Sequence, residues 1–343
     1  MNKQVFIGGT GRSGTSVLYN LLRSHKDIFA FNNEMRFLID HNGLINLVDA
    51  LTINYSISQS RDALFYFEEL MKKHFTNKYT APYVGFEFQK FFGEEYYWKR
   101  LDKFLDDLTV GSFYGSDYTV FGNFFEQKFA FLIRKFERYY KAYYRKILKQ
   151  RRETNLWPRR EMKNVRFFAD RDELCRIVES FVNDLFTYVA KRENKSIWCE
   201  KTPLNLLHLD FLYEVFPNCH FIHIKRDPRG VIQSMQNQFW ANPDIEGICK
   251  QMKQVYHRWF YLQRKVNFEK HNYYEIKLED LANDYENKIR EITNFISIEN
   301  EFISPPKLLL EKVNYWQKSM PKKDIEIVNS ILGEEIEKMG YDI

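Results

Sequence analysis

The sequence predicts an α/β protein, a P-loop-like three-layer fold with a central parallel sheet flanked by helices, plus a large helical insertion. Three observations predict it. At the N-terminus a short apolar strand runs into a glycine-rich turn and then an amphipathic helix. Residues 171–343 alternate strand-length apolar runs with helical patterns. Residues 49–170 lose that alternation and are mostly helical in pattern, aromatic and basic. Strand–turn–helix alternation is the signature of helices packed on a parallel sheet.

The first strand is expected over Gln4 to Ile7. A helix follows from Ser13 to Ser24, with Val17, Leu18, Leu21 and Leu22 at helical spacing. In the insertion, Phe125, Phe129, Leu132, Phe136, Tyr139, Tyr143 and Ile147 step by three or four and trace one apolar stripe. Trp157-Pro158 marks the end of that helix. Further on, a helix is expected over Asp172 to Lys191 and a strand over Ser196 to Glu200. A helix over Asn205 to Val215 is closed by Pro217, and a strand runs His220 to Lys225. Pro228 suits the first turn of the next helix. A long helix follows Pro243 to His271, then a strand over Tyr273 to Leu278 and a helix over Asn283 to Ile296. The last helix, Lys323 to Met339, stops at Gly340. Residues 1–48 and 171–343 are therefore assigned to one core. Residues 49–170 are assigned to an insertion for acceptor recognition, a lid or oligomerisation.

Composition bounds the function. The chain has 343 residues, 44% of them apolar, which favours a globular chain over a disordered one. Aromatic residues are abundant, with 31 Phe, 22 Tyr and 6 Trp, more than an ordinary core needs. Extra helical surface or an acceptor groove would use them. The net charge is +5, but Glu126 to Arg166 holds fourteen Lys or Arg against four acidic residues. One segment thus carries the basic character. Cys175, Cys199, Cys219 and Cys249 show no C-x-x-C spacing, so neither a metal site nor a disulfide framework is expected. No run resembles a secretory leader or a membrane span. A soluble protein of the reducing cytoplasm is the expectation.

The N-terminal loop carries the most chemistry. Gly9 to Gly14 satisfies G-x-x-x-x-G between a strand and a helix. Its glycines let backbone amides approach an anion, and the helix dipole assists. Gly11, Arg12, Ser13, Gly14, Thr15 and Ser16 are the expected donors. A nucleotide triphosphatase would carry lysine at position 15, where this chain has Thr15. The loop can bind phosphate but lacks the lysine of ATP-dependent chemistry, and its cation is Arg12. The second element is the strand ending in Lys225-Arg226. Ligands of open α/β sheets bind off the carboxyl edge. A strand ending in an acid would hold Mg²⁺, whereas this cationic end suits a second phosphate. Ser234, eight residues on, can face the same anion. The alternative for Arg226 is a surface pair with Asp227 or Glu279.

These two elements together resemble the sulfotransferases that use 3′-phosphoadenosine 5′-phosphosulfate (PAPS), with the nearest motif similarity to the tyrosylprotein and glycan branch. The resemblance implies that the first loop holds the 5′-phosphosulfate, and that Arg226 and Ser234 hold the 3′-phosphate. Leu278-Glu279-Asp280-Leu281 is similar to the family's Y-E-D-L element, with Leu in place of Tyr. Tyr315-Trp316-Gln317-Lys318 and Met339-Gly340-Tyr341 are similar to its W-x-x-K and L-G-Y features, which makes Lys318 a donor-binding candidate. The similarity covers residues 3 to 40 and 195 to 343.

The resemblance also implies site roles. Arg12 would neutralise the leaving phosphate and the sulfuryl oxygens. Lys201, in Cys199-Glu200-Lys201-Thr202-Pro203, resembles the lysine of N-K-D-P in tyrosylprotein sulfotransferases, which stabilises the transition state. Asn33-Glu34-Met35-Arg36 resembles their G-E-E-T-R segment, with one residue more between it and Arg12. Glu34 would then be the base, with Arg36 orienting it or contacting the acceptor. The rival bases are His25, His208, His220 and His223. No metal is expected to be required. The acceptor is a hydroxyl, with a glycan favoured over a protein tyrosine because the insertion is unlike the peptide enzymes. A P-loop kinase or an anion-binding module is the reading from another class. Phe121 to Arg152 reads first as a long helix docked by its apolar stripe, with a solvated basic face. The other reading is a lid or homodimer arm whose cations attract an acidic glycan, an acidic peptide or an anionic lipid surface. Nucleic acid is not expected, because no reader motif accompanies the charge.

Overall fold

Val5, Phe6 and Ile7 are fully buried, as a strand in the middle of a parallel sheet must be when both faces are covered. The computed structural model describes residues 3–76, 88–115, 124–147, 160–303, 305 and 310–343. The chain opens with β1 (Lys3–Gly8), α1 (Thr15–Arg23) and β2 (Ile28–Ala30). Helices α2 (Leu44–Leu51), α3 (Ile57–Thr76), α4 (Phe88–Phe92) and α5 (Glu94–Asp107) follow, then β3 (Thr109–Gly115), α6 (Phe124–Lys146) and β4 (Arg160–Val165). Alternation resumes with α7 (Arg171–Arg192), β5 (Ile197–Lys201), α8 (Leu209–Val215), β6 (His220–Lys225), α9 (Pro228–Gln236), α10 (Ile245–Lys265) and β7 (Asn272–Lys277). The C-terminal part holds α11 (Leu278–Asn283), α12 (Tyr285–Ile296), α13 (Leu310–Val313), α14 (Trp316–Ser319) and α15 (Lys322–Lys338).

The fold is α/β. Five parallel strands are ordered β2-β5-β1-β6-β7. Phe6 of β1 sits beside Glu200 of β5 and Phe221 of β6, so the carboxyl ends of these three strands share one edge. The chain leaves β1 to one side for β2 and β5, and crosses to the other for β6 and β7. Such a reversal opens a crevice at the carboxyl edge.

Alternate residues of the strands serve two cores. Val5, Ile7, Ile222 and Ile224 face Leu18, Leu22, Ile289 and Ile292 of α1 and α12. Phe6, Trp198 and Phe221 face the larger core, built from α2 to α5, α7, α8, α10 and α15. Its rings meet edge to face: Phe6 and Phe186 lie 5.3 and 5.0 Å from Trp198, at 87° and 86°. Phe31, Phe37, Phe67, Phe92, Phe104 and Phe181 are also fully buried. Much of the aromatic surplus is therefore core, rather than the extra surface or groove anticipated from the count.

The insertion differs from its description in the sequence. Its boundary at residue 48 falls inside α2, and α2 to α5 share one core with α7 and α10. It also contains two strands, β3 and β4, paired antiparallel from Thr109↔Val165 to Gly115↔Arg160. Where its side chains are described, the apolar stripe of α6 lies outside the core. Leu132, Phe136, Tyr139, Tyr143 and Ile147 are all exposed. The side chains of Phe125 and Phe129, and the segment holding Trp157-Pro158, lie outside the described residues. The long helix after Pro243 ends at Lys265, and a short 3₁₀ turn, Phe268–Lys270, precedes β7.

Candidate functional site

The loop after β1 turns through left-handed conformations at Gly11 (φ 81°), Arg12 (φ 54°) and Gly14 (φ 106°). Gly14 caps α1, and a Cβ there would lie 2.8 Å from Leu278 Cδ1, so glycine is required on both conformational and steric grounds. No side chain caps α1, which leaves the amides of its first turn to an anion. Arg12 holds a strained backbone, a state costing about 1 kcal/mol or more that persists only where neighbours impose it. Here Arg12 Nε donates to Ser234 Oγ at 3.0 Å, and its carbonyl accepts from Arg226 Nη1 at 3.5 Å. Gly9 N donates to Pro203 O at 2.8 Å, which pins the loop to the segment following β5. Ser13 is fully buried, and its hydroxyl has no partner.

Arg226 follows β6 and faces the loop. It is not in a salt bridge with Asp227 or Glu279. Its Nη2 donates to Val313 O at 2.7 Å, while its Nε is buried without a partner. Burial pushes its pKa down. Asp227 caps α9 and pairs with Arg229, Nη2 to Oδ2 at 2.8 Å. Glu279 accepts from Asp227 N at 3.0 Å and from Tyr341 OH at 2.9 Å. Arg229 lies 4.4 Å over the ring of Trp316. The L-E-D-L, tryptophan and G-Y segments thus converge to brace the turn that presents Arg226.

The third corner lies at the end of β5. Lys201 Nζ is 3.3 Å from Glu34 Oε1, and Arg36 Nη1 is 3.6 Å from Glu34 Oε2. Arg36 is held in turn by Asp40, at 2.7 and 3.0 Å. Beneath them Glu200 is fully buried. Its carboxylate accepts from Met35 N at 3.0 Å, Thr202 Oγ1 at 2.5 Å and Asn205 Nδ2 at 2.5 Å. Burial pushes its pKa up to about 6, against the pull of those three donors. Glu200 therefore ties the Glu34–Arg36 segment to the strand that presents Lys201.

These corners open into one cavity of about 760 Å³. Its lining includes Gly11, Arg12, Gly14, Thr15, Ser16, Glu34, Arg36, Lys201, Arg226 and Ser234. Of the residues singled out in the sequence, Ser13 and Lys318 are not in the lining. Ser13 lies buried beneath the loop, and Lys318 is exposed on α14, while Lys312 reaches the cavity instead. None of the four candidate histidines lines it. His25 is buried, bonded to Glu299 O at 2.8 Å, and His223 is buried against Tyr273 OH at 2.8 Å and Glu275 at 3.0 Å. Sequence reasoning missed Glu200, Lys312 and the apolar wall of Val17, Leu204, Leu207, Met235, Trp240, Met252 and Val255. Only the neighbour position of Glu200 to Lys201 could have flagged it.

A sequence model described as the sulfotransferase family matches residues 123–301, more than half of the chain. The chain belongs to the sulfotransferase family. The matched span holds Lys201, Arg226 and Ser234, whereas the N-terminal loop and Glu34 lie before it. Among curated proteins, the ω-hydroxy-β-dihydromenaquinone-9 sulfotransferases Stf3 of Mycobacterium bovis and Mycobacterium tuberculosis are each 28% identical over 188 residues. That match covers 49% of this chain and 47% of theirs, so it spans about half the length of these relatives. Solved sulfotransferase domains are also similar. That of the Synechococcus PCC 7002 olefin synthase gives a TM-score of 0.49 at 12% identity, over 99% of this chain and 95% of its own. That of the curacin biosynthetic pathway gives 0.46 at 12% identity, over 100% and 99%.

Proposed function

We propose that this member of the sulfotransferase family moves the sulfuryl group of PAPS to the hydroxyl of an apolar alcohol. One observation carries the reading. A single cavity brings together a glycine-loop amide cradle, a cationic strand end with Ser234 across from it, and a carboxylate–lysine pair. A donor with phosphates at both its 5′ and 3′ positions fits the first two. One nitrogen of a lining residue, Arg226 Nε, is already buried and unsatisfied, and an anion would satisfy that guanidinium. The cationic end of β6 is also why we propose chemistry without a required metal. The four cysteines are free and buried, which supports a reducing cytoplasm. Among the described residues no helix is long and apolar enough to cross a membrane.

The chemistry assigned to the chain is small. Glu34 takes the acceptor proton as the acceptor oxygen forms its bond to sulfur. The bond from sulfur to the 5′-phosphate oxygen breaks, and the leaving phosphate gains charge. Arg12 and the loop amides are placed to neutralise it. Lys201, 3.3 Å from Glu34, can exchange that carboxylate for the sulfuryl oxygens, which frees Glu34 to act as a base.

The glycan favoured by the sequence is replaced here by an apolar alcohol. The lining includes Val17, Leu204, Leu207, Met235, Met252 and Val255 beside the polar Gln238 and Gln251, and that apolar share suits an alkyl or isoprenoid chain. Relatives named for a hydroxylated menaquinone support the same class. Two measurements test the proposal. Thermal-shift titration should show stabilisation by adenosine 3′,5′-bisphosphate above that by ATP–Mg²⁺. Preference for ATP–Mg²⁺ would refute the donor. Labelled PAPS should then sulfate a long-chain or isoprenoid alcohol ahead of a glycan or a tyrosyl peptide, and the reverse order would refute the acceptor class.

A further inference from the structure

Helix α6 turns its apolar side outward. Leu132, Phe136, Tyr139 and Ile147 are 61%, 64%, 67% and 63% exposed, while Glu137, on another face of the same helix, is buried. At 3.6 residues per turn, these four apolar positions fall within an arc of about 80°. A stripe of this kind ordinarily faces a core. Among the described residues, α6 packs extensively against no other element. Lys135 and Lys146 border the arc, within about 40° of its edge, and Arg138, Lys141 and Arg145 continue round the helix. All five are exposed. The segment from Glu126 to Arg166 carries fourteen basic residues against four acidic ones.

We propose that α6 docks the protein onto an anionic lipid surface. The apolar arc would enter the boundary between headgroups and acyl chains. Lys135 and Lys146, at its border, would extend their stems along the apolar layer and place their ammonium groups among lipid phosphates. Charge decides between this occupant and a second copy of the chain. Two α6 helices in contact would set one cationic segment against another, at a cost in repulsion, whereas an anionic bilayer satisfies the apolar arc and the cations together. Each lysine or arginine held at such a surface strengthens partition by about fivefold. The contribution is screened by salt.

The test uses the full chain sedimented with vesicles, and sulfuryl transfer plays no part in the readout. The vesicles are phosphatidylcholine alone, or phosphatidylcholine mixed with phosphatidylglycerol. Binding to the mixed vesicles should exceed binding to phosphatidylcholine by about tenfold or more, and should fall by a similar factor when salt is raised about tenfold. The double variants Phe136→Asp with Tyr139→Asp, and Lys135→Glu with Lys146→Glu, should each lose about tenfold or more in binding. Their unfolding midpoints should match the parent, since these side chains are exposed. Equal binding to both vesicle types, or undiminished binding by both variants, overturns the proposal. So does a chain that ignores vesicles but forms a dimer in light scattering that Phe136→Asp with Tyr139→Asp dissociates.

Discussion

Replacing Arg226 by methionine tests the proposed donor site directly. The guanidinium spends one bond on Val313 O, 2.7 Å away, and a long one of 3.5 Å on the carbonyl of Arg12. Its Nε has no partner, and the two nearest carboxylates are engaged by Arg229, the Asp227 amide and Tyr341. A cation partly withdrawn from water without its own counter-ion should bind an arriving phosphate strongly. A hydrogen bond to a charged group contributes about 1.5–3 kcal/mol, so losing one weakens binding by about tenfold to a hundredfold. Methionine keeps the length of the stem and removes the charge. Calorimetric titration of parent and variant with AMP and with adenosine 3′,5′-bisphosphate gives the readout. The parent should prefer the bisphosphate. In the variant that preference should shrink by the stated factor, while the AMP Kd moves by no more than about threefold. Equal loss for both nucleotides would mean that Arg226 acts only by fixing the Arg12 carbonyl. An undiminished preference would remove Arg226 from the 3′-phosphate site.

Glu34→Gln should lower kcat by about 10²–10⁴-fold with the bisphosphate Kd kept, and an unchanged kcat would move the base elsewhere. Glu200 yields a pH prediction. Burial first, against the pull of Thr202, Met35 N and Asn205, puts its carboxyl at about 6, above the 4.5 of the unfolded chain. The stability it contributes is therefore complete below pH 4.5 and lost as pH rises through 6. The loss amounts to about 2 kcal/mol. Glu200→Gln cannot ionise, so denaturant unfolding should show the parent losing about 2 kcal/mol relative to the variant between pH of about 4.5 and about 7. A difference that stays flat with pH would disprove this. Gly14→Ala, at φ 106° with Leu278 Cδ1 2.8 Å from the new Cβ, should cost about 2 kcal/mol or more in the same assay. Val255→Glu, at a partly exposed position of the cavity lining, should raise the KM of an alkyl alcohol by about tenfold or more and spare donor binding; a KM within error of the parent would place the acceptor elsewhere.

Local chemistry was legible in the sequence, and long-range pairing was not. The apolar run of β1, the glycines required at positive φ, and Pro228 at the start of α9 each act within a few residues. Strand β6 was readable for the same reason. β2, with three residues, is too short to show a period. β3 and β4 find each other only across α6, and nothing local in Arg160–Val165 announces a partner near Thr109. The stripe on α6 was visible, but the direction it faces is decided by what the rest of the chain leaves uncovered. Glu200 was silent because its burial depends on Met35 and Asn205, which other segments supply. Lys318 was chosen through a short motif, while the cavity takes Lys312, six residues earlier in the chain.

The parallel sheet order has a consequence for how the protein comes to work. β1 pairs with β6, more than 200 residues later in the chain, and Arg12 meets Ser234 across the same gap. Arg226 is in turn held by Val313, close to the C-terminus. The contacts that shape this loop therefore cannot form until residues through 313 have been made, however early the loop emerges. High sequence separation makes such contacts slow to form. Ligand binding at the loop should thus appear only with the folding step that joins these distant segments, and a bound ligand would hold them together against unfolding.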